Sequence, residues 1–264
     1  MPFFKFKNFN IFYVKMGTKT SLPPLIFTHG IWANHLTWFK QLRYFAKYTE
    51  IYAYDILGHG KSDNPQVEYT AQLFVEVLRT FIKKLSIVDP ILVGHSLGGI
   101  ISQAFALKYP DLVQKLVLLC TGAFISLGGR PLNIPHYLIL LLRKLISKLL
   151  RWSIYLKILV RMSAKRRIEG IKVKSFEARM AASCAGKAML SIVYHLVKFN
   201  ISKEINTLKL PILFITGTRD IFLNQVPIYR TLPNVKVKIK PGGEHVLHLY
   251  NGEVDNWILE FIKE

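Results

Sequence analysis

The chain has 264 residues, 51% of them hydrophobic, and its 36 lysines and arginines exceed its 16 acidic residues, which gives a net charge of +20. This length and apolar fraction suit one large domain with a buried core and exclude an intrinsically disordered chain. The absence of any run of about 18 uncharged apolar residues argues against a membrane-spanning helix. Because Cys120 and Cys184 are the only cysteines, we expect no disulfide framework and a reducing, cytoplasmic location.

Short apolar runs alternate with segments of helical spacing through the first and last parts of the chain. The start alternates between apolar residues and lysines, which predicts a β-hairpin that turns near Asn8. Similar patterns predict further strands at Leu25–Thr28, Ile51–Tyr54, Ile91–Val93, Lys115–Cys120, Pro211–Thr216 and Val235–Ile239, and helices at Trp38–Tyr48, Ala71–Leu85, Gly98–Tyr109 and Trp257–Lys263. The alternation predicts an α/β fold with a mostly parallel central sheet and helices on both of its faces.

The segment from about 135 to 200 interrupts this alternation, because it shows helical patterns and no strand. It belongs to a wider stretch, residues 123–203, which holds 16 lysines and arginines but two acids and so carries +14 of the total charge. A local change of composition of this kind is typical of an inserted lobe. We therefore predict a core at 1–122 and 204–264, interrupted by a basic helical insertion at 123–203.

One short motif carries the chemistry. Gly94, Ser96 and Gly98 form the pattern G-x-S-x-G between a predicted strand and a predicted helix, and Gly99 adds a third small residue. A sharp strand-to-helix turn needs small neighbours so that the two backbones can pass closely. It also exposes the central serine hydroxyl above the sheet, beside the positive end of the helix dipole. Ser96 is therefore the candidate nucleophile.

A serine hydroxyl is a weak nucleophile at neutral pH, so it needs a base, and the base needs an acid to orient it. Asp220 comes just after one predicted strand, and His245 lies on the loop after the next. In a parallel sheet both loops lie at the edge where Ser96 is expected. The alternatives are less well placed with respect to the strands: His248 as the base, and Glu204 or Glu244 as the acid.

An oxyanion hole needs two N–H donors aimed at the charge that develops during the reaction. Leu97, directly after the nucleophile, is expected to supply one backbone N–H, and Ile31, on the loop after Leu25–Thr28, the other. Trp32 is the alternative donor on that loop. Trp32 and His95, which adjoin these groups in the sequence, are the candidate substrate-binding residues.

Together these motifs resemble the α/β-hydrolase superfamily over roughly residues 10–122 and 205–264. The segment Asp55 to Ser62 is similar to the family's D-x-x-G-x-G-x-S loop, whose role is mainly structural, so His59 within it is not expected to be catalytic. The resemblance implies a triad of Ser96, Asp220 and His245 that works without a metal or other cofactor. It also implies that the insertion is a cap domain covering the site and selecting the substrate.

Within the superfamily, epoxide hydrolases and haloalkane dehalogenases use an aspartate as the nucleophile in this strand-to-helix turn, called the nucleophile elbow. Ser96 at that position argues against both. The expected activity is that of a carboxylesterase or lipase-like serine hydrolase, which cleaves an apolar or acyl-chain ester through an acyl-enzyme. The alternatives are a C–C bond hydrolase, weakened because Val246 and not tryptophan follows His245, and an acyl-carrier methyl esterase or thioesterase. A hydrolase-fold protein that only binds a ligand or a membrane is the non-enzymatic alternative.

The stretch Tyr137–Lys165 is almost entirely apolar and basic. At helical spacing its basic residues fall on one half of the wheel and its leucines mostly on the other. Such a helix can cover an apolar tunnel, lie on an anionic membrane surface or bind an acidic acyl-carrier protein. The simpler alternative is a cap helix whose lysines are solvated. The expected partners are therefore a small-molecule ester and, through this helix, an anionic membrane surface or an acidic acyl-carrier protein. Nucleic acid is not expected, since no groove-reading motif is present.

Overall fold

The computed structural model describes residues 2–127, 130–131, 167–168, 171–172 and 186–264. The predicted amphipathic helix at Tyr137–Lys165 lies outside these residues. Eight strands form the main sheet: β1 (Phe3–Phe6), β2 (Phe9–Met16), β3 (Leu25–Thr28), β4 (Ile51–Tyr54), β5 (Ile91–His95), β6 (Lys115–Leu119), β7 (Ile212–Gly217) and β8 (Val235–Lys240). The α-helices are α1 (Phe39–Phe45), α2 (Ala71–Lys84), α3 (Leu97–Lys108), α4 (Gly186–Val197), α5 (Val226–Arg230) and α6 (Gly252–Lys263).

The strand order is β1-β2-β4-β3-β5-β6-β7-β8. The predicted hairpin is β1–β2, and β2 also pairs with β4 in the antiparallel sense. All remaining pairs are parallel, from β4–β3 through to β7–β8. The carboxyl ends of β3, β5, β6, β7 and β8 therefore lie at one edge of the sheet, where the loops that follow them meet.

Both faces of the sheet are covered, which explains why the central strands are continuous apolar runs. Successive strand residues point to opposite faces. Ile26 and Leu92 pack into the core with α2, α3 and α5, whereas Phe27 and Val93 pack into a second core with α1 and α6. The predicted α/β architecture is confirmed.

Helix α6 begins five residues earlier than the apolar spacing from Trp257 predicts. The Asn251 side chain accepts a hydrogen bond from the Glu253 N–H at 3.0 Å and so caps the first turn. Asparagine satisfies helix N-termini well, since it supplies an acceptor for an otherwise unpaired donor. Val254, in this added turn, is buried in the same core as Ile258.

The two ends of the predicted insertion lie side by side. Phe124 and Asn200 form an isolated antiparallel bridge, and the Ile201 N–H donates to the Ala123 carbonyl at 2.9 Å. This arrangement suits a segment inserted between β6 and β7, although the boundaries 123–203 and the cap role stay predictions. None of the helices in the described part of the chain is long and apolar enough to cross a membrane.

The expectation that 135–200 contains no strand is wrong. Arg167–Ile168 pairs with Ile171–Lys172 in the antiparallel sense, and Ser126–Leu127 pairs with Arg130–Pro131 just before this segment. Only Glu169 and Gly170 separate Arg167–Ile168 from Ile171–Lys172 in the sequence. A two-residue connection that contains glycine favours a tight hairpin turn. Strands of two residues are too short to produce an alternating pattern, so periodicity could not detect them.

Candidate active site

Ser96 lies in the sharp turn between β5 and α3. Its φ of +51° and ψ of −116° put it in a sparsely populated region for a residue with a side chain. Such strain costs about 1–3 kcal/mol and persists only where neighbouring contacts hold it. Here the Ser96 N–H donates to the Leu119 carbonyl at 3.0 Å, and the Thr121 hydroxyl donates to the Ser96 carbonyl at 2.7 Å.

The glycines of the motif are required by close backbone contacts. A Cβ on Gly94 would overlap the Gly98 carbonyl, and a Cβ on Gly98 would overlap the Thr28 carbonyl at the end of β3. A Cβ on Gly99 would overlap the Thr121 side chain. Helix α3 therefore lies closer to the sheet than any larger residue at these positions would permit, and Ser96 is held where the chain crosses from strand to helix.

Asp220 and His245, which follow β7 and β8, meet at the same edge of the sheet. His245 Nδ1 lies 2.8 Å from Asp220 Oδ1, and the Thr216 hydroxyl donates to Oδ2 at 2.8 Å. Burial raises the pKa of the Asp220 carboxyl, but the hydrogen bonds from His245 and Thr216 outweigh it, so the pKa lies below its usual value. An ionised Asp220 requires a proton on His245 Nδ1, which leaves Nε2 of the neutral ring free to act as a base.

His95 connects the turn at Ser96 to the His245 loop. Its Nε2 lies 2.8 Å from the His245 carbonyl oxygen, and the two rings pack with centroids 4.9 Å apart. Burial lowers the pKa of His95 well below its usual value, so the ring is neutral and Nε2–H donates to the carbonyl. Because the side chain is buried, its geometry supports a role in positioning His245 more than the substrate contact expected from the sequence.

The two candidate oxyanion donors adjoin the same turn. Leu97 is the first residue of α3, where a helix has no internal acceptor for its N–H. Gly30 packs against the turn, since a Cβ there would lie 3.2 Å from Ser96 Cβ, and Ile31 follows it. No acceptor among the described residues takes the N–H of Ile31 or Leu97. Trp32, with a φ of +59°, leaves 44% of its surface exposed.

One expected contact is not formed in this structure. The Ser96 hydroxyl and the His245 ring share no hydrogen bond, and His95, which adjoins Ser96 and contacts His245, links the two loops. Hydrogen bonds between a nucleophile and its base are often long without substrate and shorten when it binds. The rival base His248 is less suitable, because burial lowers its pKa to about 3 and its Nε2 faces only the Thr37 hydroxyl, at 3.4 Å.

The Asp55 loop contains a second aspartate–histidine pair that sequence reasoning missed. Asp55 Oδ1 accepts hydrogen bonds from the His35 N–H at 2.7 Å and from His35 Nδ1 at 2.8 Å. Its Oδ2 accepts the Lys61 N–H at 2.8 Å, and the Ser62 hydroxyl donates to the Asp55 carbonyl at 2.6 Å. Asp55 and His35 are 20 residues apart in no recognised pattern, so no local signal joins them.

Two further histidines are structural, and one of them is His59, which the sequence analysis did not expect to be catalytic. His29 Nε2 accepts the Ile56 N–H at 3.0 Å, and its Nδ1 donates to the Gly30 carbonyl at 2.8 Å, so the ring braces the loop after β3. His59 packs against His29, and burial lowers the pKa of His59 to about 3.

A second feature that sequence reasoning missed is Cys120, directly after β6. Its thiol is buried, and its Sγ lies within 4.8 Å of a ring nitrogen of His95 and of His245, which are equally close to each other. These residues come from three separate strand ends. No spacing in the sequence groups them, because the parallel sheet alone brings the strand ends together.

Comparison with known proteins agrees with the fold. A family model described as the alpha/beta hydrolase fold matches residues 23–153. The chain has the α/β-hydrolase fold. Human Protein ABHD8 is 29% identical in an alignment of 255 positions that covers 90% of this chain and 54% of that protein. The chain spans about half the length, or less, of the curated relatives that it matches.

Solved structures show the same α/β-hydrolase fold across nearly the whole chain. The esterase EaEST from Exiguobacterium antarcticum superposes with a TM-score of 0.82 at 18% identity, over 97% of this chain and 96% of that one. A bromoperoxidase from Bacillus anthracis superposes with a TM-score of 0.79 at 21% identity, over 96% and 95% of the two chains. At these identities the likeness establishes the fold alone.

Proposed function

We propose that this α/β hydrolase is a serine esterase that cleaves carboxylic esters of apolar or acyl-chain substrates. The observation that carries the proposal is the Asp220–His245 hydrogen bond of 2.8 Å at the sheet edge where Ser96 occupies its strained turn. A carboxylate that orients a histidine near such a serine is the arrangement needed to activate a hydroxyl.

In the proposed reaction, Ser96 Oγ attacks the ester carbonyl while His245 Nε2 takes the hydroxyl proton. Asp220 keeps the proton on Nδ1 and stabilises the imidazolium that forms. The N–H groups of Ile31 and Leu97 stabilise the negative oxygen of the tetrahedral intermediate. The intermediate collapses, the leaving alcohol takes the proton from His245, and an acyl-enzyme on Ser96 remains. Water, deprotonated by His245, then releases the acid. No step requires a metal or another cofactor.

An apolar substrate is supported by the side chains around this edge. Trp32 is 44% exposed on the loop that carries Ile31, and Ile221 is 72% exposed directly after Asp220. Large apolar groups in water favour contact with apolar ligands. Substrate contact by Trp32 therefore stays part of the proposal, whereas His95 is proposed to position His245.

The remaining predictions about partners and location stay proposals. The basic insertion at 123–203 is proposed to act as a cap and to bring the hydrolase to an anionic membrane surface or an acidic acyl-carrier protein, within a cytoplasmic setting. The charge of +14 on this stretch supports attraction to either. Co-sedimentation with vesicles that is independent of lipid charge and of salt would remove the electrostatic part.

The test is hydrolysis of p-nitrophenyl esters, from acetyl to palmitoyl, by the wild-type chain and by Ser96→Ala. We expect the substitution to lower kcat by on the order of 10⁴ to 10⁶, because only oxyanion stabilisation and binding remain. Ser86→Ala, at an exposed serine after α2, is the matched control and should leave the rate unchanged. Labelling by a fluorophosphonate should also depend on Ser96. Full turnover by Ser96→Ala would overturn the proposal.

A further inference from the structure

We propose that His95, Cys120 and His245 form a binding site for a thiophilic divalent cation such as Zn²⁺, and that the bound cation inhibits the hydrolase. The inhibitory consequence rests on the proposed function of His245, whereas the binding itself does not. The three side chains supply two imidazole nitrogens and one sulfur, which is a donor set that zinc prefers over calcium or magnesium.

The geometry of the three donors is close to that of a zinc site. One ligand atom of each residue lies within 4.8 Å of the other two. Bonds of about 2.0–2.1 Å to nitrogen and about 2.3 Å to sulfur place tetrahedral ligands roughly 3.3–3.7 Å apart. Side-chain adjustments on the order of 1 Å would therefore close the set around a cation.

The three donors are held by the same elements that build the proposed active site. Cys120 follows the central strand β6 with a φ of +48°, and its N–H donates to the Ile215 carbonyl at 2.8 Å. His95 is the last residue of β5, and its ring is enclosed by His245 and by His248, at 4.9 and 4.5 Å between centroids. Two of the three donors therefore lie at strand ends, where side chains are held more precisely than on loops, and His245 lies on the loop after β8.

The charge around the donors favours a cation. The Asp220 carboxyl lies 2.8 Å from His245 Nδ1 and is close enough to the Cys120 thiol to interact with it. On binding, the Cys120 thiol releases its proton to water and the thiolate sulfur bonds to the cation. Asp220 then accepts a hydrogen bond from the His245 ring, as carboxylates near zinc-bound histidines do.

Binding would inhibit turnover because it uses the proposed base. A ring nitrogen of His245 that donates its lone pair to a cation cannot take the Ser96 proton. Cys120 and His95 are both buried behind the His245 loop, so the cation would lie on the protein side of the ring. The site is therefore proposed as a reversible inhibitory metal site that takes no part in the hydrolysis itself.

The binding test uses Co²⁺ as a spectroscopic substitute for zinc on the full chain. The wild-type chain and Cys184→Ser, the matched control at the other cysteine, should both develop the visible bands of tetrahedral cobalt and a thiolate-to-cobalt charge-transfer band. Cys120→Ser should lose the charge-transfer band, and His95→Gln should weaken binding. Absence of the band from the wild-type chain, or its persistence in Cys120→Ser, would overturn the site.

The inhibition test measures ester hydrolysis against Zn²⁺ concentration, with each variant normalised to its own rate in the presence of a chelator. Removing the thiolate should raise the zinc concentration for half inhibition by tenfold or more, and a chelator should restore the wild-type rate. Cys120→Ala serves as a second variant if Cys120→Ser fails to fold. Equal inhibition of wild type and folded Cys120 variants would refute inhibition through this site. A chain that binds cobalt through Cys120 but hydrolyses no ester would instead refute the proposed function and leave the site established.

Discussion

The molecule contains two aspartate–histidine pairs with the same separation and different surroundings. His35 Nδ1 and Asp55 Oδ1 are 2.8 Å apart, as are His245 Nδ1 and Asp220 Oδ1. Both carboxylates are completely buried, and in both cases hydrogen bonds from the histidine oppose the effect of burial and hold the carboxyl pKa below its usual value. The pairs differ in what surrounds the histidine.

The His35 side chain is 10% exposed and packs against Phe12, with ring centroids 4.8 Å apart. Asp55 is also bonded to two backbone N–H groups, so this pair closes a loop. The His245 side chain is 34% exposed and lies beside the strained turn that carries Ser96. An aspartate–histidine pair therefore has no fixed role. Access to the ring and a nearby nucleophile favour chemistry, whereas enclosure favours stability.

The sharpest test of this contrast is Asp220→Asn. The amide cannot hold the His245 proton on Nδ1, so we expect kcat to fall by about 10⁴. The free energy of unfolding should change much less than kcat. Ester hydrolysis and thermal unfolding of the same preparation measure the two effects. A variant with near wild-type kcat would remove Asp220 from the proposed triad.

Asp55→Asn should show the opposite balance. Removing one partner of a buried, hydrogen-bonded pair costs about 3–5 kcal/mol, so a large loss of stability is expected in urea unfolding. The folded fraction should keep most of its kcat, because Asp55 serves the loop from Ile56 to Ser62. If kcat of the folded protein fell as far as in Asp220→Asn, the assignment of the two pairs to different roles would be wrong.

A smaller effect is expected at His95, which we propose to position His245. In His95→Ala the His245 carbonyl loses its buried donor, a cost of about 1–3 kcal/mol, and kcat should fall by roughly tenfold to a hundredfold with little change in KM. The side-chain amide of His95→Gln can donate to the same carbonyl and should recover part of kcat. A stability loss in both variants with kcat intact would reduce His95 to a packing residue.

The smallest effect concerns Asp255 on α6, whose Oδ1 accepts a hydrogen bond from Gln41 at 2.8 Å. Burial raises the pKa of this carboxyl to about 6. The folded state therefore holds a proton that the unfolded state releases near pH 4, so the contribution of Asp255 to stability should be greatest below that pH and be lost as pH rises through about 6. Asp255→Asn should remove this dependence. The difference in the free energy of unfolding between wild type and variant should therefore change by about 1–3 kcal/mol across this pH range. Parallel curves for wild type and variant would contradict the shift.

Much of the fold could be predicted because it is encoded locally. Ile91–Val93 is apolar throughout and the small residues Gly94, Gly98 and Gly99 follow at fixed spacing, so strand, turn and helix could be placed within two residues. The start of α6 could not be predicted, because its added turn depends on the Asn251 cap and on burial of Val254. Neither feature alters the periodicity from Trp257 onward. The paired strands Arg167–Ile168 and Ile171–Lys172 were missed for a related reason, since a strand of two residues shows no period.

In the candidate site, too, some features follow from local sequence and others from long-range contacts. The sequence by itself determined the elbow at Ser96 and the positions of Asp220 and His245 after strands, because steric limits and strand order act along the chain. Only the tertiary structure decided which groups surround them: His95 bonded to the His245 carbonyl, Cys120 beside both rings, and Asp55 paired with His35. These contacts join residues 20 to 150 positions apart. They exist because parallel strands bring their carboxyl ends to one edge, which no local pattern records.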